Sequence, residues 1–456
     1  MEVLKYFLLI ANCGFLSGDE GQFWHISDIH WDPDYKVTDD PNAVCPSSSK
    51  PVQDAGKWGN YLCDANWDLI NTTIYTMGEL LPNPDFILWT GDDTPHVADQ
   101  QLGEEAVLRI IGNLTQLIQQ VFPDTKVYSA LGNHDFHPKN QFPGFHHSIY
   151  NKTAELWASW LNKSSVATFT RGAFYSEKLV GSDKQRIIVL NTNLYYTSNK
   201  LNADVSDPAG QFEWLEETLS NAVTGKEKVY IIGHLPPGLF EKKRSQFWFR
   251  KHFNKKYIQI IQKYHSVIAG QFFGHHHTDS FRMFYNDSGS PIGVMFLAPG
   301  ITPWKTTLPG VENGANNPGI RVFKYDKETM IIKDMMTYYF DLALANAGAP
   351  NWKLLYTLKG AFGVADGSPG SMQKAVDWLY QDSNHLQEYY NYNSVNYDLA
   401  KCDFNCRIDH ICAIKEVDFD KYEQCVVFER SSSSVYTLPT VSLLLSLLFL
   451  LSFQVL

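Results

Sequence analysis

The chain has 456 residues, 44% of them hydrophobic and 14% aromatic, and this composition excludes an intrinsically disordered protein. Its 38 Lys and Arg residues against 49 Asp and Glu residues give a formal net charge of -11, which argues against binding to nucleic acid polymers.

The first predicted element is a secretory signal peptide at residues 1–18. Lys5 precedes an apolar run at residues 6–11, and small residues follow as far as Gly18. A buried helix or strand is the alternative, because Glu2 weakens the positively charged start and no A-x-A cleavage site is present. Sequons for N-glycosylation, which matter only in the secretory pathway, favour the signal peptide; their acceptors are Asn71, Asn113, Asn151, Asn162 and Asn286.

Apolar runs rich in Ile, Val, Phe and Tyr recur along the chain and predict buried β-strands. They lie at residues 23–26, 86–89, 127–131, 187–190, 229–232 and 267–273. Amphipathic helices are predicted between them, at residues 104–120 and 211–223. The alternation predicts an α/β catalytic domain at residues 19–344.

The strand pattern fades after about Asp334, and residues 345–430 are predicted to form a small helical, cysteine-rich C-terminal subdomain. Apart from Cys13 in the signal peptide, the cysteines form an even set: Cys45, Cys63, Cys402, Cys406, Cys412 and Cys425. In an oxidising compartment this predicts three disulfides, and the spacing favours Cys45 with Cys63 and two bridges within the C-terminal group. A zinc knuckle built from the last four cysteines is the alternative.

Residues 431–456 have the pattern of a GPI-attachment signal: serines from Ser431, a polar spacer and an uncharged apolar tail at 441–456. A transmembrane helix is the alternative, although the apolar run is short for a hydrocarbon core about 30 Å thick and no basic flank follows. We therefore expect removal of this segment and attachment of the anchor at Ser431 or a neighbour. The protein is expected to be a monomer on the extracellular face of the plasma membrane, with a shed or secreted form as a second location.

Polar residues cluster directly after five of the predicted strands, where binding sites collect in open α/β sheets. The strand ends read Asp28-Ile29-His30, Gly91-Asp92, Gly132-Asn133-His134-Asp135, Gly233-His234 and Gly274-His275-His276-His277. In an Asp-x-His pair on an extended strand, both side chains point to one side, because the strand repeats every two residues. We expect the preceding glycines to permit tight turns.

Together these strand ends offer four imidazoles, two carboxylates and one amide oxygen, more than the three protein ligands of one catalytic zinc. The predicted ligands are Asp28, His30, Asp92, Asn133, His234, His275 and His277. This number predicts two ions about 3.5–4 Å apart, bridged by Asp92, as in sites that stabilise both oxygens of a phosphoryl displacement. The mixed nitrogen and oxygen set suits Zn²⁺ best, ahead of Mn²⁺ and Fe²⁺.

The motifs resemble those of the calcineurin-like metallophosphoesterases, and within them the acid sphingomyelinase-like phosphodiesterases, over nearly all of residues 22–430. The resemblance is carried by FWHISD at 23–28, DFILWTGDDTPH at 85–96 and GQFFGHHHTD at 270–279. It implies a β-sandwich flanked by helices. It also implies that Asp92 bridges two ions, one held by Asp28, His30 and His277 and the other by Asn133, His234 and His275.

The resemblance further implies two histidines over the phosphate that bind no metal, and these match His134 and His96. Either could protonate the leaving alkoxide as a metal-activated hydroxide attacks the phosphorus. We expect Asp135 to orient His134, and His276 to face away from its two neighbours. Trp304 is expected either to line the cleft or to pack in the core.

Two phosphatase classes are excluded by residues they require. Pro95 occupies the position of the Fe³⁺-binding Tyr of purple acid phosphatases, and no Arg accompanies the motif at 132–135 as in protein serine/threonine phosphatases. We therefore expect a cell-surface di-zinc phosphodiesterase for nucleotides or phosphocholine-bearing substrates. The alternatives are a sphingomyelin phosphodiesterase acting on membrane lipid, and a GPI-anchored regulator of membrane receptors and lipid in which turnover is secondary.

Overall fold

The computed structural model describes residues 19–435, with side chains as far as Ser431. Its strands form two six-stranded sheets. The strands are β1 Glu20–Ile26, β2 Phe86–Trp89, β3 Val127–Ser129, β4 Tyr175–Lys178, β5 Gln185–Val189, β6 Lys228–Ile232, β7 Ile268–Phe273, β8 Ser280–Tyr285, β9 Pro291–Leu297, β10 Gly319–Asp326, β11 Ile332–Phe340 and β12 Trp352–Thr357. The helices are α1 Trp67–Leu80, α2 Glu104–Val121, α3 Ser148–Leu156, α4 Lys163–Gly172, α5 Gln211–Gly225, α6 Lys251–Tyr264, α7 Leu342–Asn346, α8 Leu358–Phe362, α9 Pro369–Gln381, α10 Ser383–Asn393, α11 Phe404–Lys415 and α12 Phe419–Val435.

The first sheet has the order β12-β11-β10-β1-β2-β3, and the second has the order β4-β5-β6-β7-β9-β8. Strands β1, β2 and β3 run parallel, as do β5, β6 and β7, whereas β10 runs antiparallel to β1. Parallel strands buried on both faces read as continuous apolar runs, which is why the sequence identified them. Within each sheet, the carboxyl ends of these parallel strands therefore lie at one edge.

Aromatic side chains fill the space between the sheets. The ring of Phe23 in β1 lies 5.5 Å from that of Phe272 in β7 and 5.7 Å from that of Tyr230 in β6, measured between centroids. Phe272 also contacts Phe323 of β10 at 5.1 Å. The two sheets thus share one core, and the β-sandwich implied by the resemblance is confirmed.

All predicted apolar runs are strands, and the two predicted helices correspond to α2 and α5. The expectation that strands end near Asp334 was wrong, because β11 continues to Phe340 and β12 pairs with it antiparallel. Helices α9 and α11 pack on β8 and β9 and share the main core, through residues such as Met372 and Ile414. This stretch is therefore helical and disulfide-bearing, but it is packed on the second sheet.

The disulfides are Cys45–Cys63, Cys402–Cys406 and Cys412–Cys425, so the predicted pairing is confirmed. The first bridge closes the loop between β1 and α1, which also carries Asp64. The signal peptide at 1–18 and the apolar tail at 441–456 lie outside the described residues. Within residues 19–435, no helix combines the length and the apolar character needed to cross a bilayer.

Replacing both Cys45 and Cys63 with serine is expected to lower the free energy of unfolding by about 3 kcal/mol, because the unfolded chain gains loop entropy. The separation in sequence is 18 residues for this bridge but 4 for Cys402–Cys406. The matched double variant at Cys402 and Cys406 should therefore lose less, about 2 kcal/mol. Urea unfolding measures both, and an equal or larger loss in the matched variant would contradict the prediction.

Candidate active site

Five of the seven predicted ligands have a left-handed backbone conformation directly after the strands end. The φ angles are 51° at Asp28, 42° at His30, 61° at Asp92, 70° at His275 and 57° at His277. Such angles are uncommon for residues other than Gly and persist only where the surroundings enforce them. The expectation that alternation along a strand aims each Asp-x-His pair was therefore wrong, because the strands end before these residues begin.

Backbone hydrogen bonds between neighbouring strand ends hold these turns. The amide of Asp28 donates to the carbonyl oxygen of Gly91 at 2.9 Å, and that of His30 donates to Asp92 at the same distance. A Cβ atom on Gly132 would lie 2.1 Å from Asp92 Oδ1, and one on Gly274 would lie 1.8 Å from Ser27 Oγ. At these two positions glycine is required because the strand ends approach each other closely.

The seven predicted ligands converge on one buried centre. Two trios present their ligand atoms within 4.8 Å of one another, Asp28 with His30 and His277, and Asp92 with His234 and His275. Asn133 joins the second trio, since its Oδ1 lies 3.1 Å from His234 Nε2.

Asp92 Oδ2 lies between the two trios. It is 3.4 Å from His30 Nε2 in the first trio and 3.1 Å from His234 Nε2 in the second. The other carboxylate oxygen, Oδ1, accepts a hydrogen bond from the amide of His134 at 2.8 Å. Oδ2 is thus the atom of Asp92 that faces both trios.

Carbonyl oxygens fix the orientation of two imidazole rings. His30 Nδ1 lies 2.7 Å from the carbonyl oxygen of Thr94, and His234 Nδ1 lies 2.8 Å from that of Thr90. A carbonyl can only accept, so each Nδ1 donates, and in the neutral ring each Nε2 then directs a lone pair at the Asp92 carboxylate. Such a buried arrangement of acceptors facing acceptors fits a bound cation.

The charges of the site agree with this conclusion. Burial opposes a charged ring, but Asp92 and other nearby carboxylates outweigh it and raise the pKa of His30 to about 9. The same balance raises the pKa of His234. Burial instead holds the pKa of His275 and His277 well below the usual range. The centre therefore favours added positive charge where His30 and His234 meet Asp92, and it keeps the other two imidazoles neutral.

Asp64, which the sequence analysis missed, holds His96 in place. Its Oδ1 lies 2.9 Å from His96 Nδ1, and its Oδ2 accepts from the amide of His96 at 2.6 Å. Trp304 stacks on the His96 ring with centroids 3.6 Å apart. Of the two expectations for Trp304, the structure therefore supports the one in which it lines the cleft. No motif marked Asp64, whose only signal was its place beside Cys63.

His134 lies beside His96, with ring centroids 4.4 Å apart, but its surroundings differ. The prediction that Asp135 orients its side chain was wrong. Asp135 accepts hydrogen bonds from the backbone amides of Gly132, Asp92 and Asp93 at 2.7–2.8 Å. Asp135 therefore links the loops that carry Asp92 and Asn133 through their backbones. Its oxygens accept from backbone amides and not from the ring of His134.

His276 is buried behind the metal ligands, as its expected orientation away from them requires. Trp248 Nε1 donates to His276 Nε2 at 2.7 Å, and the Trp248 ring packs edge-on against the predicted ligand His275 with centroids 4.2 Å apart. His276 Nδ1 lies 3.6 Å from the buried Glu241, which pairs with Arg282. This network supports His275 from the side opposite the centre.

His410 of α11 is buried beside this network, with its ring 5.7 Å from that of Tyr389. Burial lowers the pKa of His410 from its usual 6.5 to about 4. Its contribution to stability is therefore fully present above pH 6.5 and is lost as the pH falls towards 4. Between pH 7 and 5 the native chain should lose about 2 kcal/mol more unfolding free energy than His410→Gln.

Urea unfolding at the two pH values measures this difference. The buried carboxyl groups whose pKa is raised, such as Asp64 and Asp135, are present in both proteins, so their contributions cancel. Parallel pH dependence of the two proteins would contradict the prediction.

Aromatic side chains flank the centre on both sides of an open cleft. Tyr196, Phe240 and Trp248 lie on the side of His275, and Trp304 lies on the side of His96. Lys139 and Lys242 also line the cleft. The arrangement can hold a phosphoester at the centre, with a flat or apolar group on one side and an anionic group near the lysines.

Comparisons with known proteins agree with the fold. Residues 21–279 match the family described as calcineurin-like phosphoesterase, and residues 290–432 match the acid sphingomyelin phosphodiesterase C-terminal region. Acid sphingomyelinase-like phosphodiesterase 3b of Homo sapiens is 58% identical over 96% of this chain and 97% of its own length. Cyclic GMP-AMP phosphodiesterase SMPDL3A of Rattus norvegicus is 42% identical over 89% and 92%, and sphingomyelinase phosphodiesterase C of Dictyostelium discoideum is 36% identical over 89% and 93%.

Proposed function

Because this chain belongs to the calcineurin-like phosphoesterases, in their acid sphingomyelinase-like branch, and is a metal-dependent phosphodiesterase, we propose that it hydrolyses nucleotide-type phosphoesters at a di-zinc centre. The observation that carries the proposal is the placing of Asp92 Oδ2 between His30 Nε2 and His234 Nε2. One carboxylate oxygen facing two sets of ligands is what a two-metal site requires.

The residues fit two Zn²⁺ ions. Asp28, His30 and His277 would hold one ion and Asn133, His234 and His275 would hold the other, and Asp92 would contribute to both. Such ions supply an activated water as nucleophile and neutralise charge on the phosphoryl oxygens. The chain itself contributes ring orientation through the carbonyl oxygens of Thr90 and Thr94, which keep each Nε2 free.

We assign the general acid to His96. Asp64 accepts from Nδ1, so the proton for the leaving alkoxide would be carried on Nε2. Burial and the neighbouring His30 hold the pKa of the His96 ring well below its usual range, and the Asp64 carboxylate opposes this effect. Trp304 keeps the ring plane fixed from the other side. His134 has only a 3.4 Å contact from Nδ1 to the carbonyl oxygen of Pro95, so its role is to hold a phosphoryl oxygen.

The cleft favours a nucleotide over phosphocholine. Lys139 and Lys242 repel a trimethylammonium group but attract a second phosphate, and the aromatic side chains offer flat surfaces for a base. A relative at 42% identity is named as a cyclic GMP-AMP phosphodiesterase, which is consistent with this preference. Phosphocholine-bearing substrates rank second.

Hydrolysis of sphingomyelin in a membrane is the second candidate function. The match of residues 290–432 to the C-terminal region of acid sphingomyelin phosphodiesterase supports it, as do the names of relatives in Dictyostelium discoideum. A regulator of membrane receptors and lipid, with turnover secondary, remains the candidate of a different class. Nucleotide hydrolysis, sphingomyelin hydrolysis and regulation with turnover secondary each predict a different result when substrates are compared and when the metal centre is removed by substitution.

The test is a substrate panel on purified protein without residues 431–456. Nucleoside polyphosphates should be cleaved faster than CDP-choline, and sphingomyelin vesicles slowest. Lys242→Ala should lower kcat/KM for the nucleotide about tenfold but leave an aryl phosphodiester that has no second phosphate unaffected. Lys251→Ala, a lysine of α6 that pairs with Asp420, is the matched control. Cleavage of vesicle lipid alone would contradict the proposal, and a cellular role that survives His277→Ala would favour the regulator.

The proposed location is the extracellular face of the plasma membrane, with the chain held as a monomer by a GPI anchor at Ser431 or a neighbour. The terminal sequence pattern, the acidic net charge and the disulfides support this proposal. Treatment of intact cells with a phosphatidylinositol-specific phospholipase should release the protein. Retention after treatment would favour the transmembrane alternative.

A further inference from the structure

A groove between α1 and α2 lies apart from the catalytic cleft and is lined by aromatic side chains. Trp67, Asn71 and Tyr75 follow one another at intervals of four residues, so they share one face of α1. Trp31 closes one end, with its ring centroid 4.8 Å from that of Trp67. Trp67 is 38% exposed and Tyr75 is 41% exposed, so part of each of the two rings remains accessible to an occupant.

Two of the sequon asparagines meet in this groove. Asn71 lies on the α1 wall and Asn113 lies on the α2 wall, beside Gln116 and Gln120. The walls are joined where Gln120 Nε2 donates to the hydroxyl of Tyr75 at 2.8 Å. The groove has a volume of about 550 Å³, inside the ~300–1,000 Å³ range typical of ligand sites.

The threonines that complete both sequons are buried. Thr73 is 0% exposed and donates its hydroxyl to the carbonyl oxygen of Leu69, and Thr115 is 2% exposed and accepts from Trp157 Nε1 at 3.1 Å. A transferase must read this hydroxyl in an accessible chain, so modification has to precede folding. The helices then close with the sugars already attached.

We propose that this groove is the seat of the chain's own N-linked glycan, whose first sugars on Asn71 pack between Trp67 and Tyr75 while Asn113 places a second glycan on the facing wall. In the covalent step, Asn Nδ2 bonds to the anomeric carbon of an oligosaccharide carried on a lipid diphosphate. The bond between that carbon and the diphosphate oxygen breaks, the lipid diphosphate leaves, and the amide nitrogen loses one proton to solvent. The rings are one helical turn to either side of Asn71, so the sugar leaves the backbone directly between them. Aromatic faces suit the apolar C–H faces of sugars and lose water on contact.

The proposal rests on entry into the secretory pathway, which is part of the proposed function. It also links the glycan to the centre, since Trp31 follows the metal ligand His30 and donates its backbone amide to the carbonyl oxygen of Asp93 at 2.8 Å. The glycan thus covers the outer side of a turn whose inner side carries a metal ligand.

The experiment uses full-length protein made in a secreting eukaryotic cell. Glycopeptide mass spectrometry measures occupancy at Asn71 and Asn113, and hydroxyl-radical footprinting measures the oxidation rate of Trp67 and Tyr75 before and after an amidase removes the whole glycan. We expect both asparagines to be occupied and oxidation of Trp67 to rise several-fold on removal. Asn151, exposed on α3 away from the groove, provides the matched control, and Asn151→Gln should leave Trp67 oxidation unchanged.

Stability gives a second measurement. Asn71→Gln and Trp67→Ala should each lower Tm by about 2–4 °C, and the double variant should lose no more than the larger single loss, because both changes remove the same contact. Occupancy at Asn151 with none at Asn71 and Asn113 would overturn the glycan seat but leave secretion standing, whereas absence of glycan from every sequon would overturn both. Unchanged Trp67 oxidation, or strictly additive losses of Tm, would also overturn it.

Discussion

Replacement of Asp92 by asparagine is expected to lower kcat on the order of 10³-fold, since the loss of a metal bridge removes several kcal/mol of transition-state stabilisation. Asparagine can keep the contact that Asp92 Oδ1 makes with the amide of His134. At the Oδ2 position, however, it places an NH₂ group where two imidazole lone pairs converge. Zinc content, measured by elemental analysis, should fall below two ions per chain.

Asp93→Asn is the matched control for this variant. Asp93 is the next residue and is also buried. Burial, together with the neighbouring Asp135, raises its pKa well above the usual range, which favours the neutral carboxyl group. Asparagine imitates that neutral group, and its oxygen can still accept from Trp89 Nε1 as Asp93 does at 2.9 Å. Activity and metal content should stay close to wild type. Two zinc ions retained in Asp92→Asn, or equal losses in both variants, would refute the bridging role.

Replacement of His96 by glutamine is expected to lower kcat by about 10²–10⁴-fold on diesters that release an alkoxide, because the variant lacks the group that we assign to protonate the leaving oxygen. A nitrophenolate leaves without a proton, so the same variant should cleave a nitrophenyl diester at nearly the native rate. Steady-state kinetics on the pair of substrates measures this contrast.

Two further variants separate the roles of the neighbouring groups. Asp64→Asn removes the charge that supports the protonated ring and should show the same leaving-group contrast with a smaller loss. His134→Gln should slow both substrates alike, since His134 acts on the phosphoryl group. A leaving-group contrast in His134→Gln, and none in His96→Gln, would exchange the two assignments.

The strands that carry the ligands could be predicted because parallel strands buried on both faces are continuously apolar. The antiparallel strand β11 escaped notice because its burial is irregular, with half-buried residues such as Lys333 and Asp334 between buried ones such as Met335. The break between α9 and α10 could not be predicted, since it is made by Asp382, a cap whose side chain accepts from the amides of Asn384 and His385.

The convergence of the seven ligands could be predicted from the strand ends, but the means of aiming them could not. The positive φ angles of Asp28 and His277 result from tertiary contacts, which no local pattern encodes. Asp64 and Trp248 act on His96 and His275 from distant parts of the chain. Residues that support a ligand from outside carry no spacing rule, so only the folded chain reveals them.

The bridge between Cys45 and Cys63 has a consequence for where the enzyme can work. Asp64 follows Cys63 directly, and Asp64 is the residue that holds His96. A chain that remains reduced keeps all seven predicted metal ligands, none of which lies between Cys45 and Cys63, but loses the constraint on the segment that places Asp64 beside His96, the proposed proton donor. Newly made protein should therefore gain full activity only after oxidation, which would spare phosphoesters along its route through the cell.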